Sequence, residues 1–381
     1  MVNFTYQNPT KIEFGKGKEE LIGTAIAEDN ITKVLLCYGS ERIKSDGLYE
    51  KVTTRLKEKG IAWVELSGII SNPILSKVHE GITIAKAEKV EAVLAIGGGS
   101  VLDSAKSIAA GALYHSDVWD FFIGKSVIEK ALPVYAIMTL AATGSEMNGF
   151  AVITNDTIQQ KYNIASLHVY PRLSILNPEL TKSVPKNYLA YSAVDIIAHV
   201  IEGYLTANVQ PHFQSRMVEG IIQTVMETTE ILLQNPEDYN ARAEFTWAAT
   251  QALNGVTTAG TNPSVFPNHM IEHSLSALFN IAHGAGLAIV IPAWMTWFHT
   301  QNPAQFKRFA EKIFGKSSAE EGIEALKSWF AKIGAPVSLK EAGIGADSIP
   351  DIAANVFLAA ERQGVQKVYT PKVIETILHN A

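Results

Sequence analysis

A single cysteine, Cys37, occurs in 381 residues, so no disulfide framework is available. Its apolar neighbours Val34, Leu35 and Leu36 predict a buried, reduced thiol. No basic block is present either. The 32 Lys and Arg and the 38 Asp and Glu are scattered, with a formal net charge of -6, which argues against a nucleic-acid partner whose phosphates need neutralising. Long apolar runs are also missing. The best, Ala285 to Phe298, is interrupted by Pro292 and too short to span a bilayer, so no membrane partner is expected. Met1 to Gly15 lacks a basic segment followed by an apolar one, and cytoplasmic residence is the expectation. There is no GxGxxG fingerprint, internal repeat or low-complexity tract.

What is present is a globular composition, 47% hydrophobic and 18% charged, in a chain long enough for two domains. Up to about residue 180, short β-branched runs alternate with amphipathic stretches. These are Lys33 to Tyr38, Asp46 to Gly60, Ile61 to Leu66, Ile74 to Lys89, Ala92 to Ile96 and Ser100 to Tyr114. That rhythm predicts βαβ units and a parallel sheet. Pro133 to Thr139 adds another apolar run, and Ala151 to Thr154, Tyr162 to Ala165 and Arg172 to Leu176 read as an antiparallel hairpin region. After Asn177-Pro178 to Pro185 the strand rhythm stops and helical segments begin with Lys186 to Thr206. The expected architecture is an α/β, Rossmann-like parallel-sheet domain over 1–183, followed by an all-helical domain over 184–381.

Ala92 to Ile96 runs into Gly97, Gly98, Gly99 and Ser100, and a helical pattern opens at once, with Asp103 and Lys106 near its start. Glycines at a strand-to-helix turn let backbone approach a ligand, and the free N–H groups of a helix N-terminus suit phosphate. Thr139, Thr143, Gly144, Ser145 and Glu146 follow a second strand end and bring hydroxyls to the same edge of the sheet, where open α/β folds bind ligands. In the helical half, Asp195 and His199 stand four apart on one helix face. His269 and His273 repeat the spacing, and His283-Gly284 opens another helix. In surroundings rich in Ala, Ile and Leu, such groups call for partners or a metal. Spacing alone leaves open which four of the five hold it.

The DxxxH helix, the later HxxxHxxxxxxxxxHG, the GGGSxxD turn at Gly97 to Asp103 and the TGSE of Thr143 to Glu146 together resemble the iron-containing, or group III, alcohol dehydrogenases. The likeness spans nearly the whole chain, and within the family it resembles the NADP-using butanol dehydrogenase-like branch. The resemblance implies a metal-dependent alcohol dehydrogenase or aldehyde reductase acting on small alcohols and aldehydes. It implies one divalent metal, Fe(II) or Zn(II), on Asp195, His199, His269 and His283, with His273 left unbound beside the nicotinamide; since imidazole titrates near neutral pH, His273 or water held by it is the candidate catalytic proton donor. It places Gly97, Gly98, Gly99, Ser100 and Asp103 on the pyrophosphate side and Thr139, Thr143 and Ser145 along the cofactor. Lys161 is expected near the ribose, Asn72 near the adenine, and the active site between the domains.

Cofactor preference turns on Tyr38-Gly39-Ser40-Glu41-Arg42-Ile43-Lys44. Gly39 and Ser40 leave room at the strand end and Arg42 and Lys44 offer charge to a 2′-phosphate, so NADP is expected, with NAD as the alternative. Phe150, Trp247 and Phe266 are candidates for lining the substrate pocket. The family's habit implies a homodimer, and Phe4 to Glu13 is a candidate pairing segment. Two other readings share the scaffold: a glycerol-type polyol dehydrogenase, and a lyase resembling dehydroquinate synthase. The lyase wants several cations near the site, and Arg216, Arg242 and Lys186 are distant in sequence from the histidines.

Overall fold

The computed structural model describes residues 1–262 and 265–381. The chain divides into two units, Gln7–Val184 on one hand and Pro185–Ala381 together with Met1–Tyr6 on the other.

The first unit is built on eight strands: β1 (Lys11–Phe14), β2 (Lys33–Tyr38), β3 (Ala62–Leu66), β4 (Ala92–Gly97), β5 (Val134–Met138), β6 (Phe150–Asn155), β7 (Gln160–Ala165) and β8 (Leu173–Leu176). Six of them form one parallel sheet in the order β1-β8-β5-β4-β2-β3. Every residue of β4 and β5 is buried, which explains their continuous rather than alternating apolar runs: helices cover both faces of a parallel sheet. From β4 the chain order runs to β2 and β3 one way and to β5 and β8 the other. The loops that follow β2, β4 and β5 therefore leave the same edge near the reversal of strand order, where α/β sheets hold ligands.

One strand expectation needs correction. Only β6 and β7 form the antiparallel hairpin. Leu173–Leu176 instead enters the main sheet, parallel to both β5 and β1, because its four residues are buried on both faces and cannot serve a sheet with one wet side. The first segment is also divided. Lys11–Phe14 pairs inside the chain as an edge strand on β8, while the Val2 N–H donates to Gly260 O at 2.9 Å within the other unit.

Among the described residues the second unit contains helices and no strand. Lys186–Thr206 is buried almost throughout from Leu189 to Leu205. Pro267–Phe279 starts on a proline, which needs no N–H partner there, and ends on Asn280 in the left-handed region at φ 51°. After two more residues His283–Phe298 begins. Its second residue, Gly284, lies so close to the helix Lys186–Thr206 that an added Cβ would sit 2.0 Å from Tyr191 O. Among the described residues, no helix is long and apolar enough to cross a membrane.

Candidate metal centre and dinucleotide loops

Three helices contribute to one cluster. Asp195 and His199 lie one turn apart on Lys186–Thr206, His269 lies near the start of Pro267–Phe279, and His283 opens the next helix. The ring Nε2 atoms of His199, His269 and His283 stand 3.5, 3.7 and 3.5 Å from Asp195 Oδ1. These separations exceed a hydrogen bond, yet they match the edge of about 3.4 Å that a tetrahedral ion with bonds of about 2.1 Å gives its ligands. The Gly284 approach to Tyr191, one turn before Asp195, is what lets His283 come so near.

Asp195 Oδ1 and His269 Nε2 are buried and have no hydrogen-bond partner. Each such orphan costs about 1–3 kcal/mol in a closed protein, a cost that a bound cation removes. The residues present therefore fit a divalent metal: one carboxylate and three imidazoles, with orphaned atoms converging. Burial pushes the Asp195 carboxyl up, but His199, His283 and His269 together overcome this and hold it below the usual carboxylate range. Burial drives His199 down to about 3, against the pull of Asp195, so its ring stays neutral. For His269 burial is overcome by the facing carboxylates of Asp195 and Glu202, and it rises to about 9.

Two carboxylates that sequence reasoning missed stand behind the cluster. Glu202, fully buried, accepts from the ring Nδ1 of His269 and from the backbone N–H groups of Asn268 at 2.8 Å and His269 at 3.1 Å. Glu272, also fully buried, accepts from His283 Nδ1 and from Ser276 Oγ. Each fixes the tautomer and ring angle of its histidine so that Nε2 faces Asp195. A signal existed for one of them: Glu202 lies seven residues after Asp195, on the same helix stripe. Glu272, His273 and His283 also bring ligand atoms within 4.8 Å of one another, but the Glu272 bond to His283 Nδ1 marks this as support for the first group. The His273 ring centre is 5.7 Å from that of His283 and 6.3 Å from that of His269.

In the sheet unit, Gly97, Gly98, Gly99 and Ser100 form the expected turn from β4 into the helix Gly99–Ala112. A Cβ on Gly99 would meet the Thr143 side chain at 2.4 Å, so the loops after β4 and β5 press together and only glycine fits between them. Asp103 and Ser145 are brought together in a way the sequence did not suggest: Ser145 Oγ donates to Asp103 Oδ1 at 2.7 Å, and the Val152 N–H donates to Asp103 Oδ2 at 3.0 Å. Beneath them Lys106, fully buried, donates from Nζ to Ser145 Oγ (2.8 Å), Asn148 O (2.9 Å), Asn148 Oδ1 (3.2 Å) and Phe150 O (2.8 Å). Burial raises Asp103, partly offset by Lys106 and Ser145, and lowers Lys106 to about 8, partly offset by Asp103 and Glu146. Thr139 follows β5, its N–H bonded to Gly97 O at 2.9 Å. Lys161, on β7, donates to Asn72 Oδ1 at 3.0 Å, and both side chains are buried.

Gly39, Ser40 and Arg42 follow β2, where a Cβ on Gly39 would touch Ile69 O at 3.0 Å and Val101 at 3.8 Å. Arg42 Nη1 donates to Ser183 O at 3.0 Å, and its Nε lies 3.7 Å from Asp46. Of the pocket candidates, Phe266 packs edge-on to the His269 ring at 5.6 Å, whereas Phe150 and Trp247 are exposed on separate units.

A strand-end glycine turn in one unit and a carboxylate-imidazole cluster in the other define a class, and comparison with known proteins identifies it. Residues 9–178 match the family model described as iron-containing alcohol dehydrogenase, and residues 189–381 match that for the C-terminal part of the Fe-containing alcohol dehydrogenase family. The chain belongs to this family and is an NAD(P)-linked alcohol dehydrogenase or aldehyde reductase. Family membership brings a divalent metal with it. It is similar to the crystal structure of an NADH-dependent butanol dehydrogenase A from Thermotoga maritima, with 49% identity, a TM-score of 0.98, and 100% of this chain and 99% of that one covered. It is 42% identical to a probable NADH-dependent butanol dehydrogenase 2 of Bacillus subtilis, over 93% of each chain. An NADPH-dependent aldehyde reductase of Escherichia coli is 36% identical, over 92% of each.

Proposed function

We propose that the chain interconverts short aldehydes and primary alcohols of about butanal size, with one divalent ion held by Asp195, His199, His269 and His283 in the helical unit. The dinucleotide is assigned to Gln7–Val184. The observation that carries the metal assignment is the convergence of three imidazole nitrogens on the buried, otherwise unpartnered Asp195 Oδ1. Three imidazoles and a carboxylate suit Fe(II) or Zn(II).

When bound, the ion supplies Lewis-acid polarisation of a carbonyl oxygen and the dinucleotide supplies hydride. The chain's own residues do the rest. Glu202 and Glu272 hold the Nδ1 sides of His269 and His283, so that each Nε2 is turned towards Asp195, where a bound cation displaces any proton it carries. His273 is the proton donor to the nascent alcohol, a task imidazole suits near neutral pH. Phe266, edge-on to His269, gives the apolar contact for a short alkyl chain.

Backbone N–H groups of Gly98, Gly99 and Ser100 at a helix N-terminus receive the pyrophosphate. Thr139 and Thr143 line the cofactor, and Lys161 with Asn72 meets the adenosine end. Asp103 and Ser145, occupied with each other, shape the loop rather than touch the ligand. The 2′ position is met by Gly39, Ser40 and Arg42. Gly39 leaves the room that the NADP expectation requires, but Arg42 and Lys44 already face Asp46 and Glu41, which favours NAD(H), the cofactor in the names of the butanol dehydrogenases above. A homodimer is proposed on β1, a sheet edge paired on one side only.

Cofactor oxidation with butanal, glyceraldehyde and a phosphorylated keto acid tests the reading on protein of known metal content. Butanal turnover that vanishes on chelation and returns with metal supports it. Preference for glyceraldehyde moves the assignment to a polyol dehydrogenase, and phosphate release from the keto acid with no net cofactor oxidation moves it to the lyase.

A further inference from the structure

The ammonium of Lys44, on a side chain that stays 40% exposed, has two carboxylates and two aromatic rings around it. It lies 2.9 Å from Glu41 Oε2 and 3.6 Å from Glu65 Oε2, and 5.3 and 5.0 Å from the ring centres of Tyr38 and Tyr49. These groups are themselves tied together. Tyr38 Oη donates to Glu65 Oε2 at 2.6 Å, Tyr49 Oη donates to Glu65 Oε1, and Trp63 Nε1 donates to Tyr49 Oη at 3.4 Å. Tyr38 is the last residue of β2, so the cluster hangs directly on the strand whose following loop, Gly39 to Ser45, adjoins Val101 of the helix that follows the glycine turn.

We propose that Glu41 and Glu65, by holding Lys44 between Tyr38 and Tyr49, set the cofactor preference of this enzyme towards NAD(H). This rests on the reading that the strand-end loops hold the dinucleotide. Around the 2′ position the loop and its supports carry three carboxylates, Glu41, Asp46 and Glu65, against two cations, Arg42 and Lys44, and the further ammonium beside Gly68, that of Lys77, is neutralised by Glu80 at 2.8 Å. A 2′-phosphate, close to dianionic, meets net negative charge there, and the cation that would neutralise it is already paired on two sides and packed against two aromatic faces. A ribose 2′-hydroxyl carries no charge and meets no such penalty. Specificity is thus a matter of charge withheld, with no carboxylate required at the strand end itself.

The test compares kcat/KM for NADPH and NADH with butanal in the wild type, in Glu41→Gln, in the double variant Glu41→Gln with Glu65→Gln, and in that variant with Lys44→Met added. Inhibition by 2′-AMP and 5′-AMP against NADH reads the same site without turnover. The wild type is expected to favour NADH. The double variant should raise the NADPH:NADH ratio roughly tenfold, in KM rather than kcat, with 2′-AMP binding tightened in parallel. Lys44→Met should cancel that gain. Glu41→Gln changes an exposed side chain and should give a smaller shift of the same sign even if the double variant folds poorly. A wild type that prefers NADPH, or substitutions that leave both ratios unchanged, overturns the proposal. A wild type that oxidises neither dinucleotide, and binds neither nucleotide, instead sinks the assignment of the loops.

Discussion

Glu202 and His269 sit on different helices, yet one carboxylate oxygen of Glu202 receives both the backbone N–H of His269 and its ring Nδ1. The same contact satisfies a helix-start N–H and aims a metal ligand. Packing of two helices and orientation of the candidate site are therefore one event.

Glu202→Gln should preserve the fold and weaken metal binding. The amide keeps an acceptor but turns an NH₂ towards a backbone N–H, and His269 loses its anionic partner. Metal affinity measured by chelator competition is expected to fall by roughly 10–100-fold, with a smaller change in kcat once metal is saturating. Unchanged affinity would show that Glu202 only caps the helix.

Gly284→Ala and Gly220→Ala should act in opposite directions. A Cβ at Gly284 lands 2.0 Å from Tyr191 O and must force the helix carrying His283 away from the one carrying Asp195. Stability should drop by about 1–3 kcal/mol and metal affinity with it. Gly220 lies inside the helix His212–Gln234 and an added Cβ meets nothing within 4 Å, so there alanine should stabilise by about 0.4–1 kcal/mol. Denaturant midpoints check both.

Lys106 makes stability depend on alkaline pH. Its ordinary value is 10.5 and burial lowers it to about 8 in the folded chain. Between those values the unfolded chain binds more protons, so stability rises with pH. The penalty of the buried charge is in full force below pH 8 and is relieved as pH climbs from 8 towards 10.5. Denaturation midpoints at pH 7.5 and 9.5 should show the rise in the wild type and a flatter profile in Lys106→Met.

Much of this was legible in the sequence, for physical reasons that also explain the gaps. The run Lys33 to Tyr38 is a strand with those bounds because apolar residues follow Lys33 without a break, and Lys186 to Thr206 is a helix with those bounds because apolar residues recur at helical spacing throughout it. Leu173–Leu176 groups in sequence with its hairpin neighbours because four residues carry too little periodicity to reveal which sheet they join. Spacing points to Asp195, His199, His269, His273 and His283, the resemblance to four of them, and the fold gathers Asp195, His199, His269 and His283. Glu202 and Glu272 were missed because a lone glutamate in a helix ordinarily faces solvent, and only the packing of separate helices buries these two against a ring. Lys106 was seen beside the glycine turn, but its anchors Ser145, Asn148 and Phe150 come from a segment some forty residues later.

His269→Ala and His283→Ala should each abolish both bound metal and turnover while leaving the circular dichroism of the helices in place. A variant that keeps full turnover without bound metal removes the cluster from the chemistry.

The most direct measurement is butanal-dependent NADH oxidation by chelator-stripped protein as a divalent ion is returned in known amounts. Activity is expected to rise from near zero to a plateau at one ion per chain, and to stay absent in Asp195→Asn at every ratio. Full activity of the stripped protein, or a plateau that Asp195→Asn reaches equally well, contradicts the account.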